Sequence, residues 1–155
     1  MNVRIIVTHS IPPEVVELLS GTSEVIFGKF SGNCRKEVLE HVTQAHAIML
    51  SGRDVAIDEP LVYRCPSLRI IAATFKGPDN IDIEACTRNG VWVTTIPDAP
   101  PGLSPSSPDA TLGSALEAAA NILEALIGLA PKGAVNSPLL TRRRRATHVE
   151  RILRK

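Results

Sequence analysis

An α/β fold with a parallel sheet is predicted from two features of the chain. Short apolar runs rich in β-branched residues alternate with segments of helical period, and the connections between them are short. The runs are apolar at successive positions rather than at every second one. A strand reads that way when helices cover both faces of its sheet.

The elements follow in order. Val3–Thr8 (VRIIVT) is the first strand. Ser10-Ile-Pro-Pro opens a helix from Pro12 to Ser20, with Ser10 or Ile11 at the N-cap, prolines in the first turn and Gly21 at the end. Glu24–Gly28 is a second strand, and Asn33 caps a helix running to about Thr43. Ala45–Leu50 is a third strand, followed by a helical turn at Ile57–Arg64 and a fourth strand at Leu68–Ala73. Asp79 or Asn80 caps a helix near Ile81–Arg88, which Asn89-Gly90 ends before the fifth strand, Val91–Thr95. Five strands in so short a span predict the smaller, flavodoxin-like winding, with strand order 2-1-3-4-5 and helices on both faces. A Pro/Ser-rich stretch then leads to SALEAAANILEALIG, where Leu116, Ala119, Ala120, Leu123 and Ile127 form an apolar stripe widened by Ile122 and Leu126. Gly128 and Pro131 stop this helix.

With 155 residues, 44% of them hydrophobic, the chain is sized for one globular domain, and its 3% aromatic content makes the core aliphatic. No apolar run approaches the ~20 residues of a membrane span, and the start does not read as a signal peptide. Cys34, Cys65 and Cys86 show neither disulfide nor metal-ligand spacing, which implies reduced thiols in a cytoplasmic protein. Residues 141–155 carry seven basic residues and one acidic, so the tail is +6 and the body −5. A four-arginine run is compatible with nucleic-acid contact. Without interleaved aromatics or a DNA-binding fold, it reads as a solvated extension.

In parallel sheets of this kind ligands bind beyond the carboxyl ends of the strands. The candidate loops are His9–Ile11, Ser51–Asp54 and Thr74–Asn80. The last holds Lys76, a flexible Gly77 and backbone N–H groups leading into a helix. That combination suits a small anion, and equally a plain loop with a surface lysine. His9, His41 and His46 lack metal-ligand spacing and read as surface or satisfied core histidines, with His9 nearest the cleft. No two glycines stand at i and i+2, so the dinucleotide fingerprint G-x-G-x-x-G is absent, as is a P-loop.

The segment Phe75–Pro97 (FKGPDNIDIEACTRNGVWVTTIP) resembles the D-isomer-specific 2-hydroxyacid dehydrogenase family. Its first domain ends in a loop of the type G-x-D-N-I-D, then A-x-x-x-G-[IV]-x-V. Gly77, Asp79, Asn80, Ile81, Asp82, Ala85, Gly90, Val91 and Val93 follow it in order, with four residues rather than three between Ala85 and Gly90. Lys76 before the glycine, with ACTRNGVW downstream, is most similar to the phosphonate (phosphite) dehydrogenase branch. LGSALEAAANILEALIGLAPKGAVN resembles the end of the same family, where H-I-G-S-A precedes the last helix.

The resemblance implies a discontinuous substrate domain. Residues 1–97 would form its flavodoxin-like body, 98–113 the seam where a dinucleotide-binding domain is inserted in the family, 114–136 the returning helix, and 137–155 a basic tail. It implies that Lys76 and the Gly77 amide bind substrate oxyanions and that Ser51, Gly52 and Arg53 line the same cleft. The family's arginine, glutamate and histidine fall in the absent part, and its histidine aligns with Thr111, which cannot act as an acid/base near neutral pH. The expectation is a substrate-binding domain of an NAD(P)-dependent oxidoreductase, without catalytic residues, cofactor or metal of its own. Its ligand would be a 2-hydroxy acid, a 2-oxo acid or phosphite. The alternatives are an interaction protein pairing with itself or a homologue through the former domain interface, and tail-driven nucleic-acid association.

Overall fold

The computed structural model describes residues 3–8, 11–27, 44–50, 56–75, 79–96 and 108–138, with backbone alone at Phe27 and 108–111. Five parallel strands form one sheet: β1 (Arg4–Val7), β2 (Glu24–Phe27), β3 (Ala47–Leu50), β4 (Ile70–Ala73) and β5 (Trp92–Thr94). Their order is β2-β1-β3-β4-β5, as the winding predicts. Each strand is one or two residues shorter than the apolar run that foretold it. The expected helix at Asn33–Thr43 and the basic tail lie outside the described residues.

Alternate side chains feed two cores. Ile6, Ile48, Ile71 and Val93 face α2 (Glu59–Tyr63) and α3 (Ile83–Arg88), packing on Leu61, Val62 and Cys86. Ile5, Val7, Met49, Ile70 and Trp92 face α1 (Pro13–Ser20) and α4 (Pro108–Leu126), packing on Val15, Leu19 and Ile122. Burial on both faces is what made the strands read as unbroken apolar runs.

The helix starts differ from those expected. The N-cap of α1 is Pro12, with no side-chain cap and proline at the first turn, rather than Ser10 or Ile11. The cap of α3 is Asp82, whose carboxylate accepts from the Ala85 N–H at 3.0 Å, rather than Asp79 or Asn80. Helix α3 ends as predicted: Asn89 is its C-cap, and Gly90, at φ 75°, takes the left-handed turn that a side chain disfavours. Arg88 pairs with Glu59, tying α3 to α2 on the surface.

Helix α4 begins at Pro108, within the proline-rich stretch, and its buried face is rotated from the predicted one. Ala115, Ala118, Ala119, Ile122 and Ala125 meet the sheet, whereas Leu116, Ala120 and Ile127 are exposed. Alanines let the helix backbone lie close to the sheet over Ala47 and Ala72, so the small residues mark the interface and the leucines flank it.

The chain then returns along the free edge of β5. Thr95 N–H donates to Gly133 O at 3.1 Å, Thr94 and Ala134 form an antiparallel bridge, and Val135 N–H donates to Val93 O at 2.9 Å. Asn136 completes the seam: its Oδ1 accepts from Val93 N–H at 2.9 Å, and its Nδ2 donates to Val91 O and Thr87 Oγ1, both at 3.0 Å. Gly133 has no room for a side chain, since a Cβ there would meet Thr95 O at 2.6 Å and Asn121 Nδ2 at 2.7 Å. Asn136→Ala therefore lowers unfolding stability by about 2–3 kcal/mol, the loss of three bonds at about 1 kcal/mol each. Gly133→Ala lowers it by about 1–3 kcal/mol through overpacking. Urea titrations of the two variants measure both losses.

Candidate functional site

Because all five strands are parallel, their carboxyl ends share one side of the domain. The chain leaves the neighbouring strands β3 and β4 there into residues 51–55 and 76–78, and the described residues on either side of these two stretches are tied to one another. At the near foot Thr74 N–H donates to Leu50 O at 3.0 Å. At the far foot Ile57 and Ile81 form a parallel bridge, with Ile57 N–H donating to Asn80 O and Asp82 N–H donating to Ile57 O, each at 2.8 Å. Ile57 and Ile81 are buried in the core, which anchors these feet.

The residues singled out from the sequence, Ser51, Gly52, Arg53, Lys76 and Gly77, lie outside the described residues, as does His9. What is described is their frame. At the end of β1, Thr8 is buried and its Oγ1 donates to Met49 O at 3.3 Å. Thr74 and Phe75 lead into the lysine loop half-buried, and Asp79 leaves it exposed. One part of the expected anion site does change. The N-terminus of α3 is not open to a ligand, because the Asp82 carboxylate already holds it.

Helix α4 runs antiparallel to the strands. Its last turn lies at the amino end of the sheet, where Arg69 Nη1 donates to Leu126 O at 3.2 Å. Nineteen helical residues span about 28 Å, twice a four-residue strand, so its first turns reach beyond the carboxyl ends. Ile96 at the end of β5 and Pro108 at the start of α4 therefore both lie on the loop side of the sheet. Thr111 is in the first turn of α4, its side chain outside the described residues.

A profile described as the D-isomer specific 2-hydroxyacid dehydrogenase catalytic domain matches residues 5–136. The chain belongs to this family. It is 34% identical over 125 residues to a glyoxylate reductase of Aeropyrum pernix, covering 79% of this chain and 36% of that one. With a D-3-phosphoglycerate dehydrogenase of Methanocaldococcus jannaschii it shares 33% over 128 residues, 82% of this chain and 23% of the other. The chain thus spans about a third or less of these relatives. Among solved structures it resembles the NADPH-dependent glyoxylate/hydroxypyruvate reductase of Sinorhizobium meliloti in complex with citrate. The TM-score is 0.50 at 29% identity, over 63% of this chain and 29% of that one. A Thermus thermophilus protein, TT0316, gives 0.53 at 28% over 64% and 30%.

The family's enzymes use a nicotinamide dinucleotide, whose pyrophosphate needs unoccupied N–H groups at a helix start. Three described helix starts follow strands in this domain, and none fits. At α1, Pro12 and Pro13 have no N–H to offer. At α2 the Asp58 carboxylate accepts from Leu61 N–H at 3.1 Å, with Glu59 beside it, and at α3 Asp82 and Glu84 stand in the same relation. These carboxylates would repel a pyrophosphate. Among the described residues no three His, Cys, Asp or Glu side chains gather as a metal site, and no helix is long and apolar enough to cross a membrane.

Three polar residues lie along β5 and the returning segment, Asn121 and Asn136 within the stretch whose sequence resembles the family's end. Asn121 is 5% exposed and accepts from Gly133 N–H at 3.1 Å, Asn136 clamps the returning segment, and Thr94 is fully buried under α4. Thr94 Oγ1 has no hydrogen-bond partner among the described residues. A buried hydroxyl in that state carries an unreturned desolvation cost of about 1–3 kcal/mol. Thr94→Val keeps the β-branched shape and should raise unfolding stability by roughly 1 kcal/mol, read as a higher urea midpoint with unchanged slope.

Proposed function

We propose that this chain is the substrate-binding part of a D-2-hydroxyacid dehydrogenase, holding a small acid anion at the carboxyl ends of β3 and β4. The observation that carries the reading is the double tie between the feet of the 51–55 and 76–78 loops, within the stretch that matches the family. Rigid feet hold two short loops within reach of one ligand. Lys76 supplies the cation, the Gly77 amide a directed donor, and Ser51, Gly52 and Arg53 the opposite wall. The favoured ligands are 2-oxo and 2-hydroxy acids, the chemistry named for the glyoxylate reductases it resembles. Phosphite, suggested by Lys76 and the ACTRNGVW sequence, offers the same oxyanions and is the second choice.

Hydride transfer itself falls outside this chain in our reading. The connection between Ile96 and Pro108 occupies the place of the nucleotide-binding domain, and Thr111 stands where the family has its acid/base histidine. The cofactor would bind on that other domain and supply the hydride there. The thiols Cys65 and Cys86, buried and not disulfide-bonded, accord with a reducing, cytoplasmic setting.

A thermal melt with glyoxylate, oxalate or phosphite tests the proposal. A ligand at 100 times its Kd stabilises by about 2.7 kcal/mol, a rise of several degrees for a domain of this size. We expect that rise with an acid anion, its loss in Lys76→Ala, and no rise with NADH. A melt indifferent to all three anions would refute the binding role.

A second reading rests on the exposure of Leu116, Ile127 and Leu129 along the returning segment, at 38%, 74% and 55%. These suit association with another copy or with a longer homologue. Light scattering over a hundredfold concentration range would then show a rising mass, and a constant monomer mass alone and with a homologue would exclude it.

A further inference from the structure

We propose that His46 is an acid-sensitive latch at the amino end of the sheet, opposite the substrate loops, coupling the register of β1 against β3 to the seating of α4. The imidazole Nδ1 accepts the backbone N–H of Arg4 at 3.1 Å, while the His46 backbone N–H donates to Arg4 O at 2.9 Å. The His46 carbonyl in turn accepts the Arg69 N–H at 2.9 Å. One half-buried residue therefore joins the starts of three neighbouring strands. Arg69 continues the connection, since its guanidinium holds the carbonyl of Leu126 in the last turn of α4.

The latch works only with a neutral ring. A proton on Nδ1 occupies the lone pair that receives the Arg4 N–H and sets two donors face to face. It also places a cation beside Arg4 of β1 and Arg69 at the entrance to β4. Glu24 of β2 is engaged with Arg4, at 3.2 Å from its Nε. Burial first, then Arg69, then Arg4, hold the histidine's proton affinity below its ordinary value of 6.5. With the folded pKa depressed, the contribution of the latch is complete above 6.5 and declines as pH falls, because the unfolded chain takes up the proton first. Once the folded ring is protonated, it repels Arg69, and the grip on α4 loosens with the strand register.

Hydrogen exchange and denaturation of the whole chain at pH 7.5 and 5.0 test this, alongside His46→Asn, whose Oδ1 can accept from Arg4 without titrating. In the wild type, the folding equilibrium constant should fall by roughly threefold or more beyond the fall in His46→Asn. Exchange at Arg4 and in the last turn of α4, corrected for intrinsic rates, should rise by a similar factor in the wild type alone. Equal pH responses in the two proteins would overturn the latch. So would an α4 terminus whose protection ignores pH. If the variant does not fold, the NMR titration of His46 in the wild type decides: a midpoint below the ordinary histidine value of 6.5 supports the latch, and one at or above it overturns it.

Discussion

The outer edge of β5 is closed by residues from beyond position 130, and the rest of the domain depends on that closure. Asn136 replaces the side of a missing strand, giving Val93 N–H an acceptor and Val91 O a donor while reaching Thr87 on α3. Once residues 133–136 lie there, α4 must cross the sheet from its carboxyl side to its amino side. That path sets the small-residue face of the helix and the absence of a side chain at Gly133. It also makes α4 part of the same core as β1–β5.

Closure of this kind is tolerant of what lies between Ile96 and Pro108. The entropy of joining two fixed points rises by only about 0.6 kcal/mol for each doubling of the connecting length. A short proline-rich connection and an inserted domain therefore place similar demands on the contacts of β5 with 133–136. On the reading proposed above, a cofactor domain could be inserted at this position without loosening the contacts that hold residues 133–136 to β5. Each end of the connection is held by its own hydrogen bonds, and neither needs the other's neighbour in sequence.

The sheet and its order were legible in the sequence because double-sided burial imposes a pattern on single strands. Ile5, Ile6 and Val7 must all be apolar if helices lie above and below. Helix starts were less legible. Ser10, Asp79 and Asn80 have side chains as suited to capping as Asp58 and Asp82, and only the path of the loop decides which carboxylate meets a free N–H. The face of α4 was legible in part: Ala119 and Ile122 of the predicted stripe are buried, but the approach of helix to sheet turns the face toward Ala115 and Ala118 and leaves Leu116, Ala120 and Ile127 outside. Of the candidate site, the loops and their place at the strand ends could be read from the alternation of elements. The tie between Ile57 and Asn80 could not, since it is made by backbone groups that any residues would supply. Asn121 and Asn136 fall within the stretch that resembles the family's end, but the bonds they make could not be read from it, because an amide clamp has no spacing of its own.

The distribution of charge at the carboxyl end separates the two tasks of a dehydrogenase. The starts of α2 and α3 are held by Asp58 and Asp82, with Glu59 and Glu84 beside them, and α1 opens on two prolines. In α2 and α3 an N-terminal N–H is therefore spent within the fold, where the cap stabilises a short helix. In the binding role proposed above, contact with the acid anion would therefore fall to Lys76 and the loop amides rather than to these helix starts. A second domain with open helix starts is the physical counterpart of that arrangement. The substrate can be held by one point charge on rigid feet, while the larger polyanion requires a separate surface whose helix dipoles have been left uncapped to receive it.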